Sequence, residues 1–184
     1  GLHVLVNNAG VGMQFINPRF ASSPTRFWEL SPSQWRDVIE TNATTQFLMA
    51  RACAPHLMQQ GWGRIINVTT SFNTMLMKGF CPYGPSKAAA EANTAIMSRD
   101  LAGSGVSANV LIPGGPAETR MITDSVMWPD RTMLVQPRKM IAPVVWLASD
   151  QSDGVSGRRF LADLWNDSLA AAAAAALASA PAGW

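Results

Sequence analysis

Charge is scarce in this chain: Asp, Glu, Lys and Arg make up 14% of its 184 residues, and the formal net charge is only +2. The arginines are scattered rather than clustered, so the electrostatic footprint of a nucleic-acid partner is missing. A small uncharged substrate fits this balance better. Cysteine is scarcer still, with Cys53 and Cys81 standing in neither CxxC nor Cys/His ligand spacing. That excludes a disulfide framework and a zinc site, and makes reduced thiols in a cytoplasmic protein the expectation. No window approaches the ~20 apolar residues that span a bilayer, and the opening residues lack a basic stretch followed by a long apolar one. No membrane segment is predicted. His3 and His56 carry no spacing that recommends them as catalysts or metal ligands.

What is present is apolar: 48% of the residues are hydrophobic, enough for one core in which roughly 70% of the unfolded surface is buried. Leu2 to Val6 is an apolar run ended by Asn7-Asn8-Ala9-Gly10, the pattern of a buried parallel strand entering a turn. Ser31 caps a predicted helix with Pro32 in its first turn; Trp35, Val38, Ile39 and Phe47 form its apolar face, and it runs to about Pro55. Arg64 to Val68 reads as a second strand, Tyr83 to about Leu101 as a second long helix, and Val106 to Ile112 as a third strand stopped by Pro113-Gly114-Gly115. A helix around Arg138 to Ala148 and a short strand near Arg158 to Ala162 complete the alternation. Strand and helix in turn imply parallel strands joined by right-handed crossovers, hence an α/β fold. Residues 1–164 make up this unit. Residues 165–184 form an Ala-rich tail, either a docked terminal helix or a frayed end.

One pair of residues carries chemistry. Tyr83 and Lys87 are four apart on a predicted helix, so they project from one face about a turn from each other. A tyrosine near pKa ~10 is a poor acid at neutral pH until a neighbouring cation favours its phenolate, and Lys87 supplies that cation. Pro85 lies between them and is tolerated only in a first turn, which places Tyr83 at the helix start, where the positive helix end adds to the effect.

Five landmarks in one order resemble the short-chain dehydrogenase/reductase family: Asn7-Asn8-Ala9-Gly10 after a strand, Asn42 in a helix, Asn67-Val68-Thr69-Thr70-Ser71 after a strand, Tyr83-Gly84-Pro85-Ser86-Lys87, and Pro113-Gly114. The resemblance implies an NAD- or NADP-dependent enzyme that interconverts an alcohol and a ketone. It makes Asn42, Thr70, Tyr83 and Lys87 the catalytic group, with Tyr83 as general acid/base. Asn8, Ala9, Gly10, Tyr83, Lys87, Pro113, Gly114 and Thr119 become cofactor contacts. By the same resemblance Asn42 anchors a water of a proton relay beyond the lysine. Thr70 stands where the family has a serine that bonds the substrate oxygen; Ser71 is the second choice, and turn capping remains open for either. Thr119 comes one residue later than the family threonine. Met121 to Val135, with Met121, Met127, Trp128 and Met133, occupies the place of a substrate-covering loop, a role that Met and Trp fill as readily as plain packing or a subunit contact. Cys81 lies near the pocket as a small hydrophobe.

The family's glycine-rich loop, which holds the pyrophosphate, has no match here, and Gly10-Val11-Gly12 is too short and follows the wrong strand. The expectation is therefore a partial Rossmann-type, doubly wound parallel sheet lacking its first three strands, with Leu2 to Val6 left as an apolar edge. Such a fragment is expected to be inactive alone. In the full-length form the resemblance implies a homodimer or homotetramer, and the motifs look like a bacterial branch termed gluconate 5-dehydrogenase-like. The competing reading is a non-catalytic remnant whose helices serve only in assembly.

Overall fold

The computed structural model describes residues 1–122 and 131–183. Among them, five strands form one sheet in chain order: β1 (Val4–Asn7), β2 (Gly63–Val68), β3 (Val106–Ile112), β4 (Arg158–Leu161) and β5 (Ser179–Pro181). The pairings from β1 through β4 are all parallel, and β5 adds antiparallel to β4. Parallel strands buried on both faces need near-continuous apolar runs, and β3 is buried at all seven positions. The expected strands are thus present, each within two residues of its expected ends. β5 was not expected: Ser179-Ala180-Pro181 has neither length nor β-branching to announce it.

The first helix differs from its expectation in a way that bears on the site. Ser31 caps α1 (Pro32–Ile39), accepting from the Gln34 N–H while the Gln34 side chain bonds the Ser31 N–H. A π turn then occupies Glu40–Thr44, and α2 (Thr45–Gln60) follows. One extra residue in a turn rotates all that follows by about 100°. This is why Phe47, assigned to the same apolar face as the fully buried Val38, stays exposed; Trp35, ahead of the turn in α1, is exposed as well. α2 also continues past Pro55, which sits at an exposed position, and ends where Gly61 adopts a left-handed φ of 69°. Tertiary burial of Leu57, two residues on, outweighs the proline.

A short α3 (Phe72–Met75) follows β2, and α4 (Tyr83–Asp100) starts at Tyr83 as Pro85 requires. The helix expected around Arg138 to Ala148 begins as a tight turn at Pro137–Met140 and becomes α5 (Ile141–Leu147). On one face of the sheet, α2 and α4 bury Leu5, Cys53, Leu57, Ile65, Leu101 and Ala108. On the other, α5 and α6 (Ala171–Ala178) bury Ile66, Leu111, Trp146, Leu147, Phe160 and Trp165. The alanine run is docked: Ala174, Ala175 and Ala178 line one side of α6, where only the smallest side chain lets a helix approach the tryptophans. Of the covering segment, Met127 and Trp128 lie outside the described residues; Met133 is exposed.

Candidate active site

Parallel strands bring their carboxyl-end loops to one rim of the sheet, and that is where the sequence motifs meet. Asn8 and Ala9 follow β1 as exposed residues, Thr69 to Ser71 follow β2, and Pro113-Gly114 follows β3. Beneath the rim runs a buried polar ladder: the Asn7 amide donates to Asn67 Oδ1 at 2.8 Å, and the Asn67 amide donates to Thr94 Oγ1 at 2.8 Å. It ties β1, β2 and α4 together and leaves those amides satisfied inside the core.

Asn42 projects from the π turn, where it is wholly buried. Its Oδ1 accepts from the Val11 N–H at 2.8 Å, and its Nδ2 donates to Val11 O at 2.9 Å and to Ser86 Oγ at 3.0 Å. One side chain thereby clamps the loop after β1 onto α4. Gly10 is required at this junction, because a Cβ there would stand 2.9 Å from Asn42 Oδ1 and 3.3 Å from Lys87 Nζ.

Lys87 is buried with no carboxylate against it in the described contacts; its Nζ donates to Val68 O at 3.1 Å and lies 5.9 Å from the Tyr83 ring centre. Burial lowers its pKa to about 8. The Tyr83 ring is partly exposed and packs edge-on to Phe80, beside the buried Met13 and Phe20. Burial pushes its phenol above the ordinary tyrosine value, and the hydrogen bond with Thr70 pulls it part of the way back. For the phenol, desolvation is the larger influence and Thr70 the smaller, while Lys87, with its pKa at about 8, stays mostly protonated at neutral pH.

Thr70 is the side chain that lowers the phenol's pKa, whereas Ser71 Oγ is engaged as the cap of α3, accepting from the Thr74 N–H at 3.2 Å. Successive residues leaving a strand diverge, which separates the two hydroxyls. Gly114 has a φ of 103° and lies against Asp163, whose N–H donates to Pro113 O at 3.0 Å. Thr119 is exposed, and its hydroxyl accepts from the Met121 N–H at 3.3 Å; no described contact ties it to Tyr83 or Lys87. Cys81 is partly buried, with its thiol pushed upward by desolvation.

Two residues at this site were missed. Glu91 is fully buried, accepts from Thr69 Oγ1 at 2.8 Å, and stands 3.3 Å from Arg159 Nε as an ion pair without hydrogen-bond alignment. The signal for Glu91 was legible, since Tyr83, Lys87 and Glu91 step along one helix face at intervals of four.

A mostly parallel sheet whose rim gathers a buried lysine, a tyrosine and a hydroxyl side chain defines a Rossmann-type α/β protein. The chain belongs to the short-chain dehydrogenase family, an oxidoreductase family whose model matches residues 1–130. A 3-oxoacyl-(acyl-carrier-protein) reductase from Vibrio cholerae is 31% identical over 85% of this chain and 63% of its own length. A 5-keto-D-gluconate 5-reductase from Escherichia coli is 29% identical over 88% of this chain and 63% of its own. The crystal structure of a gluconate 5-dehydrogenase from Burkholderia cenocepacia, in complex with NADP and tartrate, matches with a TM-score of 0.72 and 27% identity, covering 86% of this chain and 62% of that one. The chain therefore spans less than two thirds of the length of these relatives.

Proposed function

We propose that these residues form the catalytic part of an NAD- or NADP-dependent oxidoreductase that interconverts an alcohol and a ketone. The observation that carries the reading is the buried Lys87 a turn from Tyr83 at the rim, its Nζ 5.9 Å from the ring centre, with Thr70 beside them as the side chain that lowers the phenol's pKa. Lys87 spends one N–H on Val68 O and has two more to offer a ribose hydroxyl. Pro113 and Gly114 after β3 suit the nicotinamide and Lys87 its ribose, while Asn8, Ala9 and Gly10 after β1 suit the adenosine side, so the residues present fit the two nucleoside ends of the cofactor. They do not fit its pyrophosphate, for which the chain has no glycine-rich loop at a helix start. Thr119 belongs to this group only if the cofactor draws its loop inward.

The nicotinamide, when bound, supplies or accepts the hydride. Tyr83 passes the proton to or from the substrate oxygen; its raised pKa keeps the phenol protonated at neutral pH, which suits the direction of carbonyl reduction. Thr70 donates to the same oxygen and fixes its place. Asn42 keeps the Val11 loop and Ser86 in register, and its Oδ1 and Lys87 Nζ flank Gly10, where a relay water has donors and acceptors. The exposed Phe47, Leu48, Met49 and Ile96 on α2 and α4 support a homodimer or homotetramer. No helix of the described residues is long and apolar enough to cross a membrane.

The test is titration with NADH and NADPH of this chain and of a version extended at its amino end by the first strands and glycine-rich loop of a relative. Measurable binding and turnover by the extended form, and none by the chain alone, are expected. Tyr83→Phe in the extended form should leave cofactor affinity nearly intact and lower turnover to below about a tenth. An extended form that folds and binds no nicotinamide would favour the non-catalytic, assembly-only reading.

A further inference from the structure

The described contacts place an unusual load on one inward-facing arginine of β4. Arg159 is 5% exposed, and its Nη2 donates to Thr70 O at 3.0 Å. Its guanidinium carbon sits over the Phe72 ring, 3.6 Å from the ring centre, and its Nε stands 3.3 Å from Glu91 Oε1. Glu91, wholly buried, turns its other oxygen to the Thr69 hydroxyl at 2.8 Å and receives the Gly183 N–H at 3.4 Å. One ion pair thus touches three of the four residues Thr69 to Phe72, the corner at which the chain leaves β2. A buried charge pair is poor at adding stability, because desolvation offsets most of the attraction; its best-attested use is to specify one geometry. The geometry here is that of the corner carrying Thr70.

We infer that Arg159 is a positioning residue, which together with Glu91 holds the Thr69-Thr70 corner so that the Thr70 hydroxyl faces Tyr83. The planar fork of arginine bonds a carbonyl and pairs with a carboxylate at once while stacking on a ring. A lysine keeps the charge but has a single nitrogen at its tip. The inference rests on the reading of Thr70 and Tyr83 as the reacting pair, yet its test needs no turnover, so the two stand or fall separately.

Tyr83 is the only tyrosine in the chain. Carbon-13 labelling at tyrosine Cζ therefore gives one resonance, which reports both the hydrogen bond to the phenol at neutral pH and its ionisation at alkaline pH. In Arg159→Lys the resonance at neutral pH is expected to move toward that of Thr70→Val, and the alkaline midpoint to rise, with circular dichroism unchanged. In a Thr70→Val background the same substitution should add no further shift. An unshifted resonance in a folded Arg159→Lys protein, or an equal shift in both backgrounds, overturns the inference; the second result would mean that Arg159 acts on the phenol directly. Should Arg159→Lys not fold, Glu91→Gln carries the same test, since it removes the charge that aligns the guanidinium and keeps an acceptor for Thr69.

Discussion

At the scale of single residues, the site couples two ionisable groups through burial. Lys87 has an ordinary pKa of 10.5, lowered to about 8 in the folded chain. Between these values the unfolded chain binds a proton that the folded chain has released, so stability rises with pH across the window; below about 8 both states are charged and the burial cost is felt in full. Lys87→Met should flatten that rise, seen as urea midpoints that change less than the parent's between pH about 8 and about 10. Asn42→Ala leaves the Val11 N–H and carbonyl without their partner, at a cost of about 2–4 kcal/mol in thermal or urea unfolding. Gly10→Ala is expected to cost about 1–3 kcal/mol, because the added methyl meets the Oδ1 of the fully buried Asn42, which is held in place by Val11 and Ser86.

At the scale of elements, the π turn at Glu40–Thr44 decides which face of α2 is buried. Deleting Thr44 would restore an uninterrupted α-helix and swing Ala50, Cys53 and Leu57 about 100° away from the sheet. Loss of the cooperative unfolding transition is the expected outcome, whereas Phe47→Gln, at an exposed site beyond the turn, should alter stability by no more than about 0.5 kcal/mol. Helix α6 gives a second test. Ala174→Leu overpacks a fully buried contact with the cluster of Trp146 and Trp165, costing about 1–3 kcal/mol, whereas Ala173→Leu, on the exposed side, should be near neutral. Equal effects at the two positions would contradict the docked helix.

At the scale of the whole molecule, β1 is the outer strand of the sheet among the described residues, paired there to β2 alone, with Leu2 ahead of it and Val6 within it exposed. An outer strand without lysine or proline invites pairing with another copy. The chain alone is expected to self-associate at high concentration, and Val6→Lys should reduce this in light scattering without lowering the melting temperature. The opposite edge has the protection that β1 lacks: β5 covers β4 and Arg158 bonds Ser179 across them.

Strand and helix order were legible in the sequence because periodicity and turn residues act locally: the apolar runs ending at Asn7, Val68 and Ile112, and Pro85 setting the start of α4, need no distant partner to be read. The Tyr83–Lys87 pair was legible for the same reason, as a spacing on one helix. What only the tertiary structure decided are relations between segments far apart in the chain. The π turn that aims Asn42 at Val11 and Ser86, the sign of the pKa shift at Tyr83, the use of Ser71 as the cap of α3, the docking of α6 and β5, and the Arg159–Glu91 pair 68 positions apart all follow from which groups lose water together. Burial is a property of the assembled core, and no window of sequence carries it.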